Sequence, residues 1–237
     1  MTNLLIDAGN TNIKLMTDEL DSPIVSMPTR RVFELDLEQY DGIEQVWASN
    51  VAGREVAKEI VRACAHRGMP LRFIEAKGEQ CGVVNGYEVP GQLGSDRWAA
   101  LLAAWHHARA ACLVVNCGTA TTIDALSDGG VFIGGLILPG VELMQRCLAR
   151  AGILAEFSKS IYTDFPKNTA DALYSGAIEA TCGAIHRQHA RHDMKSDILL
   201  CGGAAHLLLP HLALRAEMMD NLVLQGLKLI ARDADRE

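Results

Sequence analysis

The sequence lacks the common phosphate-binding signatures. No G-x-x-x-x-G-K-[ST] occurs in its 237 residues and no G-x-G-x-x-G opens a helix after the first apolar segment, which excludes a P-loop and a dinucleotide-binding turn. A G-x-S-x-G nucleophile elbow is missing as well. There is no basic run, and the net charge is −7. An acidic chain without a cationic patch has no electrostatic footprint for nucleic acid, so no nucleic-acid partner is expected. No apolar stretch reaches the ~18 to 20 residues that cross a bilayer, so no membrane partner is expected either. The seven cysteines are odd in number, lack a C-x-x-C pair and mostly sit in apolar segments. They predict packed, reduced thiols. No basic n-region or apolar h-region precedes the strand that opens at Asn3, and a cytoplasmic location is expected.

What the chain does have is a motif written twice, 109 residues apart. Leu5-Ile6-Asp7-Ala8-Gly9-Asn10-Thr11-Asn12-Ile13 is echoed by Val114-Val115-Asn116-Cys117-Gly118-Thr119-Ala120-Thr121-Thr122. Each copy is an apolar strand that runs into Asp or Asn, a small residue, a Gly, hydroxyl and amide side chains, and a second strand. That pattern predicts a β-hairpin whose turn holds an anion. Glycine lets the backbone approach a ligand closely, and successive N–H groups with Asn10, Thr11, Thr119 and Thr121 offer donors to phosphate oxygens. Two such hairpins from duplicated domains, facing one another across a cleft, make a nucleotide clamp. The length and the 49% hydrophobic content suit a well-packed α/β body of two domains, 1–109 and 110–237.

Along the chain, strands are expected at Asn3 to Ala8, Ile13 to Thr17, Pro23 to Met27, Gln45 to Ala48 and Leu71 to Glu75, with a helix over Gly53 to Arg67. Lys77 to Gly94 has five glycines, one proline and no sustained period, and predicts a long functional loop. A helix follows with Ser95 as its N-cap. The second half predicts strands at Cys112 to Asn116, Thr121 to Leu126, Val131 to Leu138 and Ile198 to Leu200. Helices are expected near Val141 to Ala151, over Ala170 to Arg191, briefly after Gly202-Gly203, and from Leu222. His186, His189 and His192 fall three apart on one of them. Such steps each stop about 60° short of a full turn, so the outer two diverge, and a solvated helix face is the better reading than a metal site.

Five blocks in order carry a resemblance: Asp7-Ala8-Gly9-Asn10-Thr11-Asn12-Ile13-Lys14, Gly94-Ser95-Asp96-Arg97, Asn116-Cys117-Gly118-Thr119-Ala120-Thr121-Thr122, Gly134-Gly135 to Pro139-Gly140, and Asn168-Thr169. Together they resemble type III pantothenate kinase. One block alone would also suit sugar kinases and actin-like ATPases. The resemblance implies duplicated actin-like (ribonuclease H-like) α/β domains, with mixed sheets flanked by helices and an ATP cleft between them. It implies phosphorylation of pantothenate by ATP with Mg²⁺ as the first step of coenzyme A synthesis, and a homodimer with its active site near the interface. A sugar or other small alcohol as acceptor, and a non-catalytic ATP-binding regulator, are the alternatives.

Each candidate residue has two readings. Asp7 can organise Mg²⁺ against nucleotide phosphates or merely cap a turn. Lys14 can reach a phosphate or face solvent. Asp96, in the first turn of its helix, is favoured there by the helix dipole alone. The resemblance places the catalytic base on it, the role of an aspartate that takes the acceptor's proton late in phosphoryl transfer. Arg97 can hold a substrate carboxylate or be a surface arginine. Tyr87 matches a substrate-contacting position, with Gly94 and Ser95 nearby, and could otherwise be a loop aromatic covering core. Thr169 can cap its helix and, by resemblance, meet pantothenate from the partner subunit. The Gly134-Gly135 and Gly202-Gly203 pairs fit close approach to a nucleotide or plain tight turns. Where the family has Asp in the second hairpin, for an activating monovalent cation, this chain has Asn116. An amide oxygen can still ligate K⁺ or NH₄⁺, without charge.

Overall fold

The first residues enter the centre of a sheet. In β1 (Thr2–Ala8), Leu4, Leu5 and Ile6 are all fully buried, as a strand covered on both faces requires. It turns back into β2 (Asn12–Thr17), and β3 (Val25–Pro28) adds an edge. Ending that edge strand on Pro28 costs no ladder bond. Then come β4 (Ile43–Asn50), parallel to β1, α1 (Arg54–His66) and β5 (Leu71–Phe73), giving the order β3-β2-β1-β4-β5. Helix α1 buries Val56, Ile60, Ala63 and Cys64, the stripe expected at helical spacing. The structure is a computed structural model that describes residues 2–150, 160–192 and 196–235.

The stretch expected to be one long loop is partly ordered into strands. β6 (Glu79–Gln80) and β7 (Val83–Asn85) form a hairpin, and a 3₁₀ turn spans Pro90–Gln92. The two turn residues, Cys81 and Gly82, both have positive φ (49° and 80°). That is the type I′ geometry that matches strand twist. Cysteine in place of the usual Asn or Asp hid it from the sequence reading.

Helix α2 (Ser95–Ala108) is buried all along Arg97–Trp105. The second half contributes β8 (Cys112–Cys117), β9 (Ala120–Leu126), β10 (Val131–Pro139), α3 (Val141–Arg150), α4 (Thr169–Arg191), β11 (Asp197–Cys201), α5 (Ala205–Leu208), β12 (Ala216–Met218) and α6 (Leu222–Ala234). Ala151, expected at the end of α3, lies outside the described residues.

Two compact units result. The first comprises Met1–Arg109, Gly130–Phe132 and Asn221–Glu237; the second comprises Ala110–Gly129 and Ile133–Asp220. In the first, α6 lies on α2 so closely that a Cβ on Gly226 would overlap the Ala99 backbone, and the start of β10 pairs with β7. In the second, the strands run β12-β11-β8-β9-β10, and α4 covers Leu113, Val115 and Ile123 with Ile178, Cys182 and Ile185. Five of the seven cysteines are buried, and among the described residues no helix is long and apolar enough to cross a membrane.

Candidate active site

The β1–β2 hairpin ends in an exposed turn. Ala8 faces Ile13 across the ladder, which leaves Gly9 to Asn12 as the turn, closed by the Gly9 N–H donating to the Asn12 carbonyl at 3.1 Å. Asn10, Thr11 and Asn12 are exposed there, whereas the side chains of Ala8 and Ile13 are fully buried and present only backbone to a ligand. A residue that the sequence reading passed over holds the turn from behind. Buried Thr29 donates its hydroxyl to the Gly9 carbonyl (2.6 Å) and its backbone N–H to the Thr11 carbonyl (2.9 Å).

Asp7 stands at the head of this hairpin, paired with Lys14 on β2 and Ser49 on β4. Burial and, after it, the negative charge of Asp96 push its carboxyl up to about 7, against the opposing pull of Lys14. Lys14 does not simply face solvent: its ammonium donates to Asn221 Oδ1 at 2.8 Å. Ser49, wholly buried, meets Ser95 at 2.9 Å between hydroxyls, which ties β4 to the first turn of α2.

Ser95 is therefore not the N-cap expected of it. Helix α2 begins at Ser95, the cap position is Gly94, and no side chain caps it. Glycine there lets the Asp96 carboxylate come close: a Cβ on Gly94 would sit 2.7 Å from Asp96 Oδ1, which would have to shift. That oxygen accepts the Arg97 backbone N–H at 2.7 Å. Burial raises the Asp96 pKa, and the Arg97 N–H and guanidinium work against the rise. The Coulomb effect of Asp96 on Asp7 makes this a cluster of two carboxylates, a hard-oxygen donor set that suits a divalent cation carrying phosphate ligands.

Arg97 is not a surface arginine, being only 6% exposed. Its guanidinium donates to the Tyr87 hydroxyl at 3.0 Å and lies 5.8 Å from the ring centroids of both Tyr87 and Phe132, a cation–π arrangement. Phe132 had no sequence signal, because it reaches the cluster from the start of β10. Asn85 sets the loop: its amide donates to the carbonyls of Lys77 and Pro90, and its oxygen accepts the Tyr87 N–H at 3.1 Å. A cavity of about 450 Å³ lies beside this helix end, lined by Asn50, Val51, Phe73, Glu75, Gly94 and Ser95 among others.

The second hairpin is built differently. Cys117 faces Thr121, so its turn is Gly118 to Ala120, one residue shorter than Gly9 to Asn12. The sequence echo is thus out of step after the turn: Thr121 is the structural counterpart of Ile13, not of Asn12, and it is buried likewise. Only Gly118 and Thr119 of the donors expected here are exposed. Asn116 is half-buried, with Oδ1 turned to Gly202, where a Cβ would come within 2.7 Å of it. Gly134 adopts a φ of 139° with open space around it. On α4, Asn168 is the cap, accepting the Asp171 N–H at 2.9 Å, and Thr169 is an exposed first-turn residue without that duty. The histidines are less solvated than expected, since the rings of His186 and His189 bond to the carbonyls of Leu212 and Ser196. Among the described residues no group of three or more His, Cys, Asp or Glu could hold a metal ion.

Two mixed sheets flanked by helices, each with a glycine turn at the head of a hairpin, define an α/β fold of the actin-like class. The same fold occurs in a conserved Baf family protein described as a transcriptional activator from Campylobacter jejuni (TM-score 0.67, 22% identity, 99% of this chain and 100% of that one). It occurs again in the activator of 2-hydroxyisocaproyl-CoA dehydratase from Clostridium difficile with bound ADPNP (TM-score 0.52, 11% identity, 100% and 95%). The sequence profile described as "Type III pantothenate kinase" matches residues 3–191. A type III pantothenate kinase from Nitrosospira multiformis is 43% identical over 97% of this chain and 91% of its own length. The chain belongs to the type III pantothenate kinase family. It is an ATP-dependent kinase that phosphorylates pantothenate in coenzyme A biosynthesis, with a divalent metal.

Proposed function

We propose that Asp96 is the general base of this transfer and that the Asp7–Lys14 hairpin receives the nucleotide phosphates. In the reaction, a bond forms between the pantothenate 4′-hydroxyl oxygen and the γ-phosphorus as the bond to the β-phosphate bridge breaks. Asp96 orients the hydroxyl and takes its proton. The observation that carries this reading is the coupling of Asp96 with Asp7: two desolvated carboxylates, Asp96 in the first turn of α2 with its pKa raised by burial, and Asp7 at the head of an exposed glycine turn, raised to about 7 by burial and by the charge of Asp96. Asp7, together with the phosphates, would hold Mg²⁺, and the ion would supply charge neutralisation to the transferring group. The Arg97–Tyr87–Phe132 cluster supplies a cationic, aromatic wall for the carboxylate end of pantothenate, with Gly94 and Ser95 lining the adjoining cavity.

The second hairpin, through Gly118 and Thr119, is a second phosphate contact, and the Asn116 oxygen is a ligand for K⁺ or NH₄⁺. The enzyme is a cytoplasmic homodimer of two-domain subunits, the 1–109 and 110–237 division amended by the return of Gly130–Phe132 and Asn221–Glu237 to the first unit, with Thr169 reaching pantothenate across the subunit boundary. Exposed Ile133 and Ile137 on β10, 57% and 64% accessible, support an interface on that strand. The acidic net charge argues against a nucleic-acid partner.

The test is a coupled ADP-release assay with pantothenate, with glucose and with no acceptor, on the wild type and Asp96→Asn. Turnover is expected with pantothenate alone. The variant should keep its ATP affinity and lose at least ~100-fold in kcat, the scale of a positioned base. Retention of more than about a third of wild-type kcat would reduce Asp96 to a carboxylate favoured by its helix end and move the base elsewhere.

A further inference from the structure

A turn that binds phosphate has to aim its N–H groups at the ligand, so its carbonyls must be turned away and satisfied elsewhere. In the first hairpin, three carbonyls are accounted for from behind. The Ala8 carbonyl accepts the Val51 N–H at 3.1 Å, and those of Gly9 and Thr11 both accept from Thr29. Thr29 follows Pro28, which lies opposite Asn12 at the end of the edge strand, so the residue is delivered to the turn by the ladder itself. It is 8% exposed, and its hydroxyl bond, at 2.6 Å, is the shorter of its two. The neighbouring Arg30 and Arg31 do not share this work among the bonds described, and Arg31 is engaged with Glu34.

We propose that Thr29 is a positioning residue for the nucleotide: by holding the Gly9 and Thr11 carbonyls it presets the N–H face of the turn for phosphate oxygens. The inference rests on the reading that this hairpin receives the nucleotide. Thr29 itself touches neither phosphate nor acceptor. The backbone bond to Thr11 survives any substitution except proline, so a change confined to the hydroxyl isolates the Gly9 contact.

The experiment measures KM for ATP, KM for pantothenate, kcat and thermal midpoint for wild type, Thr29→Val, Thr29→Ser and Gly9→Val. It also measures ADP and adenosine affinity by calorimetry. Thr29→Val keeps the side-chain shape and removes the hydroxyl. It should raise KM for ATP about tenfold, the response to losing one well-made buried hydrogen bond. Its KM for pantothenate should stay within about twofold, as set by a contact confined to the turn. Thr29→Ser should restore ATP binding to within about threefold, and the Val effect should be seen for ADP but not for adenosine. Equal behaviour of Val and Ser, or a loss spread evenly over kcat and both KM values, would overturn the inference and leave Thr29 a packing residue. Gly9→Val disturbs the turn itself. If it leaves ATP affinity unchanged, the reading of the hairpin fails; if it weakens ATP while Thr29→Val does not, only the role of Thr29 fails.

Discussion

The two hairpins solve one problem with different materials. Both keep the carbonyl before the glycine occupied by a distant backbone N–H: Val51 bonds to Ala8 in the first, and Ala204 bonds to Cys117 in the second. In the turn itself they part. The first turn is held by the side chain and backbone of Thr29, while the second is held by the Gly140 N–H on the Thr119 carbonyl at 2.9 Å. Gly9 is close-fitting but not closed, a Cβ there lying 3.3 Å from the Asn12 carbonyl, and at Gly118 in the second turn it would lie 3.5 Å from the Ala120 carbonyl. The crowding of the second hairpin is at its clamp, where a Cβ on Gly140 would overlap the carbonyls of Gly118 and Thr119. The first hairpin pairs Asp7 with Lys14, and the second puts Asn116 opposite Thr122. Charge is concentrated on the strands of the first hairpin, and steric closeness at the clamp of the second.

The largest expected effect follows from that closeness. Gly140→Ala should destabilise the protein by about 1–3 kcal/mol, because the backbone around residue 140 must move to admit the methyl group. Gly202→Ala should act in the same direction, having a φ of 93° and a Cβ position 2.5 Å from the Cys117 carbonyl. Gly9→Ala should cost less than either, since the Asn12 carbonyl has to give by only a few tenths of an ångström. Chemical denaturation of the three variants decides it. Equal losses at all three sites would mean that the two turns are equally tight and would erase the contrast.

The second effect comes from charge. The Asp7 carboxyl is raised to about 7 by burial and by Asp96, so the folded state holds that proton more tightly than the unfolded chain does. Below about pH 4 the group is protonated in both states and contributes nothing. As pH rises from about 4 to 7 the unfolded chain ionises first, and folding stability falls until both states are ionised. Asp7→Asn should therefore raise the Tm of the ligand-free protein by about 2–4 °C at pH 8 and leave it unchanged near pH 4. Activity should be lost at both pH values. A Tm gain at pH 4 equal to that at pH 8 would show that packing, not ionisation, is responsible.

Much of the frame was legible because local pattern and burial agree. The continuous apolar run of β1, the Val56-Ile60-Cys64 stripe of α1 and the α4 span each carry a pattern that the core then uses. What escaped the reading depends on contacts distant along the chain. Thr29, Ser49 and Phe132 lie in three separate segments with no motif of their own, and each matters only through what the sheet brings beside it. The offset of the second turn escaped for a related reason. Two similar strings were aligned residue for residue, but register is set by ladder hydrogen bonds, and a turn shorter by one residue carries Thr121 to the buried face. Asp96 and Gly94 stood out in the sequence, yet the reason for glycine at 94 is the Asp96 carboxylate and not the turn alone.

The smallest effect tests the neutral head of the second hairpin. If Asn116 binds a monovalent cation, its amide oxygen contributes only a dipole, and the cation affinity should be lower than a carboxylate would give. Asn116→Asp adds a Coulomb attraction that, at an effective dielectric near 20, is of the order of a few kcal/mol at contact distance before the carboxylate's own desolvation is subtracted. The residue is half-buried, so that subtraction is partial, and a modest net gain should remain. Activity of the wild type should rise with KCl or NH₄Cl relative to NaCl at constant ionic strength. The variant should reach half-saturation at a lower cation concentration, with little change in maximal rate. If the second hairpin also contacts phosphate, the aspartate brings a like charge to it, which would show as a higher KM for ATP at low K⁺ that disappears once the cation is bound. Identical KCl curves for the two proteins would mean that residue 116 does not touch the cation, and a flat wild-type curve would mean that the neutral hairpin works without one.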